Sequence, residues 1–335
     1  MQPSDTEFSK MVVHAERALL TVLDPKKNER VSVITDQECE DVALAFKEAC
    51  QRLGLSSELV HLGNRSKGHF RDISPEVERD LNHSDIYINT FVSYADETPF
   101  RIKLLDLEMK KGARIAHAPG IDKKMLLEGA LTADFESMWD TAKDLMDAMA
   151  DAVEVHITTE AGTDVRLKVA NRQFQTDIKI KKNELGNLPA GEIWCAPLED
   201  GADGIVIVDG TIGDFGFPPS PVKIWIKNGK VADVECDDRE FTEKLKEVLH
   251  ADEMSDVIGE LGIGLNKGAK LIGNMLVDEK AAGTIHIAFG NNIDFYGGKN
   301  DSSMHRDFLV RNPDMTITYS DGSRKKIMEK GSLLL

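Results

Sequence analysis

Near residue 150 the hydrophobic pattern of this chain changes period, and that change limits the folds open to it. Before it, short apolar runs alternate with helical repeats. Residues 11–23 carry an amphipathic helical repeat ended by Pro25, and residues 30–36 read as a short buried strand. Thr35 to Glu38 has the spacing of a capping box, ahead of apolar residues at Val42, Phe46, Ala49, Cys50 and Leu53 and a closing Gly54. Residues 57–62, 85–93 and 114–118 read as further strands. Pro75 opens a helix through Leu81, and helices are expected over 100–111 and 134–149. Strands alternating with helices predict a parallel sheet covered on both faces.

After Val153 the spacing shortens. Residues 153–169 alternate around a glycine-centred turn, the pattern of a β-hairpin. Short strands are expected over 191–195, 204–209, 222–227 and 230–235, the last two joined by a tight Asn228-Gly229 turn, with one helix over 241–250. The chain is therefore expected to be α/β. A Rossmann-like parallel sheet flanked by helices occupies residues 1–150, and a β-rich α+β domain follows over 151–335.

Charge and cysteine usage narrow the function. With 58 acidic against 41 basic residues the net charge is −17, a field that repels phosphate backbones and anionic bilayers. Nucleic acid and membrane are thus excluded as expected partners, and a site that attracts cations is favoured. Cys39, Cys50, Cys195 and Cys236 show no C-x-x-C spacing, so neither a disulfide framework nor a thiolate zinc site is expected. The first residues lack the basic and apolar blocks of a signal peptide, and no apolar run is long enough to span a bilayer. The expectation is a cytoplasmic protein.

The chemistry concentrates near the C-terminus. In residues 284–289 the bulky apolar side chains take one face of a strand and His286 the other, while in 305–310 the period of two puts His305 and Asp307 on one face. A lone histidine here would be an ordinary core or surface residue. An H-x-D pair with a second histidine on a neighbouring strand instead suits a divalent cation. Glu192, Glu260 and Glu279 sit in similar apolar settings, where a carboxylate is costly to bury unless paired or bound to metal. Other features carry less. The glycines of 262–268 lack the dinucleotide spacing, residues 209–214 read as a turn, and His61, His69, His83, His117 and His250 are scattered.

The segments LPAGEIWCAP (188–197), ELGIGLN (260–266), DEKAAGTIHIAFG (278–290) and HRDF (305–308), in that order, resemble the leucyl aminopeptidase family typified by aminopeptidase T, a group of metal-dependent exopeptidases. The resemblance covers the C-terminal half closely and the N-terminal half in general layout. It implies a site for two divalent ions of the Zn, Co or Mn class, with Glu192, Glu260, His286, His305 and Asp307 as ligands, and Glu279 less directly, since its spacing to the histidine varies in the family. It implies a metal-activated water that releases N-terminal residues from short peptides or small amides, with Glu192 and Glu260 also serving the catalysis, and it implies a homodimer.

One departure stands out. Where family peptidases carry a tyrosine seven residues after the histidine, this chain has Ile293, and Tyr296 is the nearest hydroxyl to replace it as a catalytic donor. Two other readings follow. Ring-cleaving dioxygenases similar to 2,5-dihydroxypyridine dioxygenase share the H-x-D pair and bind one Fe(II), but they carry histidine at the Glu260 position and do not use the positions of Glu192 and His286 as ligands. A metal-dependent binding protein without catalysis is the third.

Overall fold

The structure is a computed structural model that describes residues 3–63, 68–81, 84–92 and 94–335; His83 and Ser93 lie outside the described residues. The chain divides into two compact units, one of Met1–Trp139 with Asp177–Ala190 and one of Asp140–Thr176 with Gly191–Leu335.

In the first unit, β1 (Arg30–Thr35), β2 (Ser56–His61), β3 (Ile86–Phe91) and β4 (Arg114–Pro119) alternate with α1 (Asp5–Ala18), α2 (Glu40–Arg52), α3 (Pro75–Asp80) and α4 (Thr98–Met109). The strands pair in parallel in the order β2-β1-β3-β4, as a covered sheet requires: β3 is buried along its whole length. Helix α1 starts earlier than its apolar repeat, at a Ser4–Glu7 capping box, and continues as a π-helical turn over Leu19–Leu23 that buries Leu19, Val22 and Leu23. The capping box expected at Thr35 does not form. Thr35 ends β1, and the Asp36 carboxylate instead accepts from the amides of Glu38 and Cys39 ahead of α2. A short helix α5 (Lys123–Leu127) follows, and the boundary between the units falls within α6 (Phe135–Met149).

This unit carries a polar group in its core. The Asn89 amide donates to Glu108 at 3.0 Å and lies 3.3 Å from His117 Nδ1, all three buried. Burial pushes the Glu108 carboxyl up to about 8 against the pull of the Asn89 hydrogen bond, and burial with the Arg101 charge pulls His117 down to about 3. Because Glu108 keeps its proton in the folded chain up to about pH 8 and loses it near 4.5 when unfolded, its contribution is full below 4.5 and disappears as pH rises toward 8. Glu108→Gln is therefore expected to raise stability at about pH 8.5 by a few kcal/mol and to change it little at about pH 5. Urea denaturation at both pH values checks this; an equal effect at the two would count against a neutral buried carboxyl.

The second unit is antiparallel. β5 (Ala152–Thr158) and β6 (Asp164–Lys168) form the expected hairpin. β10 (Ala202–Val208), β11 (Val222–Lys227) and β12 (Lys230–Glu235) extend that sheet on one side, and β16 (Asp314–Tyr319), β17 (Arg324–Glu329) and β18 (Ser332–Leu333) extend it on the other. Asn228 and Gly229 both take positive φ, as the tight turn between β11 and β12 demands. A second sheet has the order β15-β14-β13-β9-β7, from β7 (Gln175–Thr176), β9 (Glu192–Cys195), β13 (Ile258–Gly264), β14 (Thr284–Gly290) and β15 (His305–Arg311). Helices α7 (Arg239–Leu249) and α8 (Met275–Asp278) complete the unit. The short β8 (Leu185–Asn187) belongs to the first unit, pairing in parallel with β4.

Candidate metal centre

The smaller sheet of the second unit brings the sequence motifs together by register. Glu192 lies opposite Gly264, His286 opposite Gly262, Ala288 opposite both Glu260 and Asp307, and Gly290 opposite His305. Directly opposed residues share a sheet face, so Glu192, Glu260, His286, His305 and Asp307 all project from one side. Each of these large polar side chains has glycine or alanine directly opposite it on one neighbouring strand, while His286 meets Leu309 on its other side. The need is acute at Gly262, where a Cβ would lie 2.0 Å from the His286 ring.

The polar atoms converge. His286 Nε2 lies 3.3 Å from Glu192 Oε2 and 3.4 Å from Glu260 Oε1, and His305 Nε2 lies 3.0 Å from Glu260 Oε2 and 3.2 Å from Asp307 Oδ1. Among the described residues, two groups of side chains could each hold an ion, one of Glu192, Glu260 and His286 and one of Glu260, His305 and Asp307. Glu260 belongs to both and turns one oxygen to each. His305 Nδ1 sits 2.7 Å from the Asn291 carbonyl, which can only accept, so Nδ1 carries a proton and Nε2 is the nitrogen turned to the carboxylates.

The electrostatics favour a cation. Burial alone would raise the Glu260 and Asp307 carboxyls, yet hydrogen bonds from His286 and His305 hold Glu260 below the usual range, and His305 holds Asp307 well below it. Burial would likewise pull both imidazoles down, but the Glu192 charge and the Glu260 hydrogen bond lift His286 to about 10, and Asp307 with Glu260 lifts His305 well above its ordinary value. The carboxylates thus hold protons on both rings, in the positions a metal would take. A donor set of carboxylate oxygens and imidazole nitrogens without thiolate fits Zn, Mn, Co or Fe.

Two predicted residues, Glu279 and Tyr296, are not among the side chains of these two groups. Glu279 pairs with Lys280 at 2.8 Å, and burial raises its carboxyl. Tyr296 and Ile293 are exposed on the loop after β14, Tyr296 held by its backbone amide to Gln175. The same loop sets Phe295 edge-on to the His305 ring, 5.8 Å between centroids, and 6.0 Å from Trp194. Sequence reasoning missed Lys280, which is fully buried with its ammonium on Glu192 and Glu279. Its only signal was its place between Glu279 and an apolar, small-residue run.

A family described as thermophilic metalloprotease (M29) matches residues 126–333. The chain is 27% identical to Aminopeptidase AmpS of Bacillus subtilis (strain 168) over 195 residues, covering 51% of this chain and 47% of that protein. It is 27% identical to Aminopeptidase 2 of Geobacillus stearothermophilus over 167 residues, 44% of this chain and 40% of that one. The chain spans about half the length of the curated relatives it matches. In fold it is similar to 2,5-dihydroxypyridine dioxygenase from Pseudomonas putida KT2440 (TM-score 0.72, 19% identity, 99% of this chain and 98% of that one). It is equally similar to wild-type AmpT from Thermus thermophilus (TM-score 0.71, 17% identity, 98% and 99%). Both likenesses concern the fold alone and do not choose between the two proteins. The match over residues 126–333, which takes in every strand of the candidate centre, decides the family: the chain belongs to the thermophilic metalloproteases (M29).

Proposed function

We propose that this chain is a metal-dependent aminopeptidase-like hydrolase that holds two divalent ions and releases N-terminal residues from short peptides. The observation that carries the reading is the division of Glu260, whose Oε1 faces His286 and whose Oε2 faces His305. A carboxylate shared in this way would suit a pair of divalent ions. Glu192 and His286 would complete one shell, His305 and Asp307 the other. Divalent ions held there would supply an activated water and polarise the scissile carbonyl.

The chain's own part is placement. The Asn291 carbonyl fixes the His305 tautomer, the facing glycines and alanine leave room for five side chains on one sheet face, and Phe295 packs against the His305 ring. Family resemblance also gives Glu192 and Glu260 a part in the catalysis, through the ions they would hold. Tyr296, with its backbone fixed and its ring exposed, is the hydroxyl assigned to face substrate where the family's tyrosine is replaced by Ile293. The free state of all four cysteines supports a reducing, cytoplasmic setting, and family resemblance supports a homodimer.

Residue chemistry weighs against an Fe(II) oxygenase. Such a site takes two imidazoles and one carboxylate, whereas here three carboxylates face two imidazoles. The test is elemental analysis together with turnover. Purified chain is expected to hold two ions, to lose leucyl-amide hydrolysis on chelation, and to regain it with Zn²⁺, Co²⁺ or Mn²⁺. One iron per chain with oxygen-dependent ring cleavage would replace this reading, and bound metal without turnover of any peptide or amide would leave a binding protein.

A further inference from the structure

Lysine is almost never fully buried without a paired charge, and Lys280 is fully buried beside the candidate centre. Its ammonium contacts Glu192 Oε1 and lies 2.8 Å from Glu279 Oε1, while Glu192 Oε2 faces His286 Nε2 at 3.3 Å. Carboxylates and cationic or imidazole groups thus alternate from Glu279 through Lys280, Glu192, His286, Glu260 and His305 to Asp307.

The backbone that presents Lys280 is itself fixed. Its carbonyl accepts from the Asn266 amide at 2.8 Å, just beyond β13, and its amide donates to Val277 at 3.2 Å. The next residue packs on Gly264, where a Cβ would lie 2.1 Å from the Ala281 carbonyl oxygen, and Gly264 is the residue opposite Glu192. Behind it, buried Asp278 accepts from the Thr211 hydroxyl and from the amides of Ile272 and Gly273, both at 2.8 Å. The lysine therefore reaches Glu192 across a glycine from a clamped turn.

Resting on the two-ion reading above, we propose that Lys280 is a positioning residue: it holds one oxygen of Glu192, so that the carboxylate offers only the other to the ion shared with Glu260 and His286. Glu279 completes the device by pairing with the ammonium. The Lys280–Glu279 pair is neutral as a unit, so it adds little net repulsion toward a cation beyond Glu192; what it supplies is direction. Groups that orient a ligand from behind typically contribute about 10–100-fold in metal affinity.

The test is Co²⁺ titration of the metal-stripped full chain, followed by calorimetry and visible absorption, with folding checked by circular dichroism. Lys280→Met combined with Glu279→Gln removes the pair without changing net charge. This double variant is expected to bind one Co²⁺ as the natural chain does and the other about 10–100-fold more weakly, with absorption changed for that ion alone. Should it fail to fold, Glu279→Gln alone keeps the lysine and should weaken the same ion while leaving the other intact. Both ions bound within twofold of the natural chain would overturn the inference, and so would equal weakening of both, which marks a general packing role. A natural chain that takes up no Co²⁺ would instead bring down the two-ion reading.

Discussion

Glu260→Gln is expected to cost the chain both its metal complement and its activity while leaving it folded. The side chain is buried within the sheet, and each of its oxygens faces a different imidazole, Oε1 toward His286 and Oε2 toward His305. Glutamine preserves the volume but replaces one oxygen with an NH₂ group, which cannot donate a lone pair to a metal. One of the two groups thus loses a ligand outright, and the shared charge is lost to both. Elemental analysis should show no more than one ion per chain. Hydrolysis of a leucyl amide should fall by more than the about 10²–10³-fold that a single electrostatic donor contributes. Two ions retained with unchanged turnover would place Glu260 outside the centre.

Gly262→Ala should have an effect of similar size from a residue that carries no chemistry. A Cβ there would sit 2.0 Å from Cε1 and from Nε2 of His286, far inside contact distance. The obstacle is the end of a side chain rather than backbone, so the ring can turn away and the sheet can survive. What does not survive is the approach of His286 Nε2 to Glu192 and Glu260. The expected result is a chain with native circular dichroism and loss of the ion bound by Glu192, Glu260 and His286, while His305 and Asp307 keep theirs. Crowding of His286 is refuted by an alanine variant that binds both ions with natural affinity.

Gly262 also shows which information lay in the sequence unread. In ELGIG Glu260 and two glycines take alternate positions, and in HIAFG His286, an alanine and a glycine do the same. Read as strands, these patterns put the small residues with Glu260 and His286 on one face and the bulky apolar residues on the other. The small residues proved to be cross-strand partners of Glu192, Glu260, His286, His305 and Asp307. Lys280 was less legible, because a lysine after a glutamate reads as a solvated pair, and only its full burial separates the two cases.

The sequence by itself determined what is local. Alternation of period two assigned His305 and Asp307 to one face of a strand and His286 to the side away from its aliphatic neighbours, because side-chain direction in a strand depends only on position along it. The same locality revealed the change from helix-and-strand texture to short strands and the Asn228-Gly229 turn. Tertiary structure decided which strands become neighbours. Nothing in residues 191–195 specifies that β9 pairs with β13 rather than with another edge, or that the three residues of β8 join the parallel sheet of the first unit. Those choices follow from burying whole faces and satisfying backbone hydrogen bonds across distant segments. Only after they were made could Glu192, 68 residues before Glu260 in the chain, meet His286 at 3.3 Å.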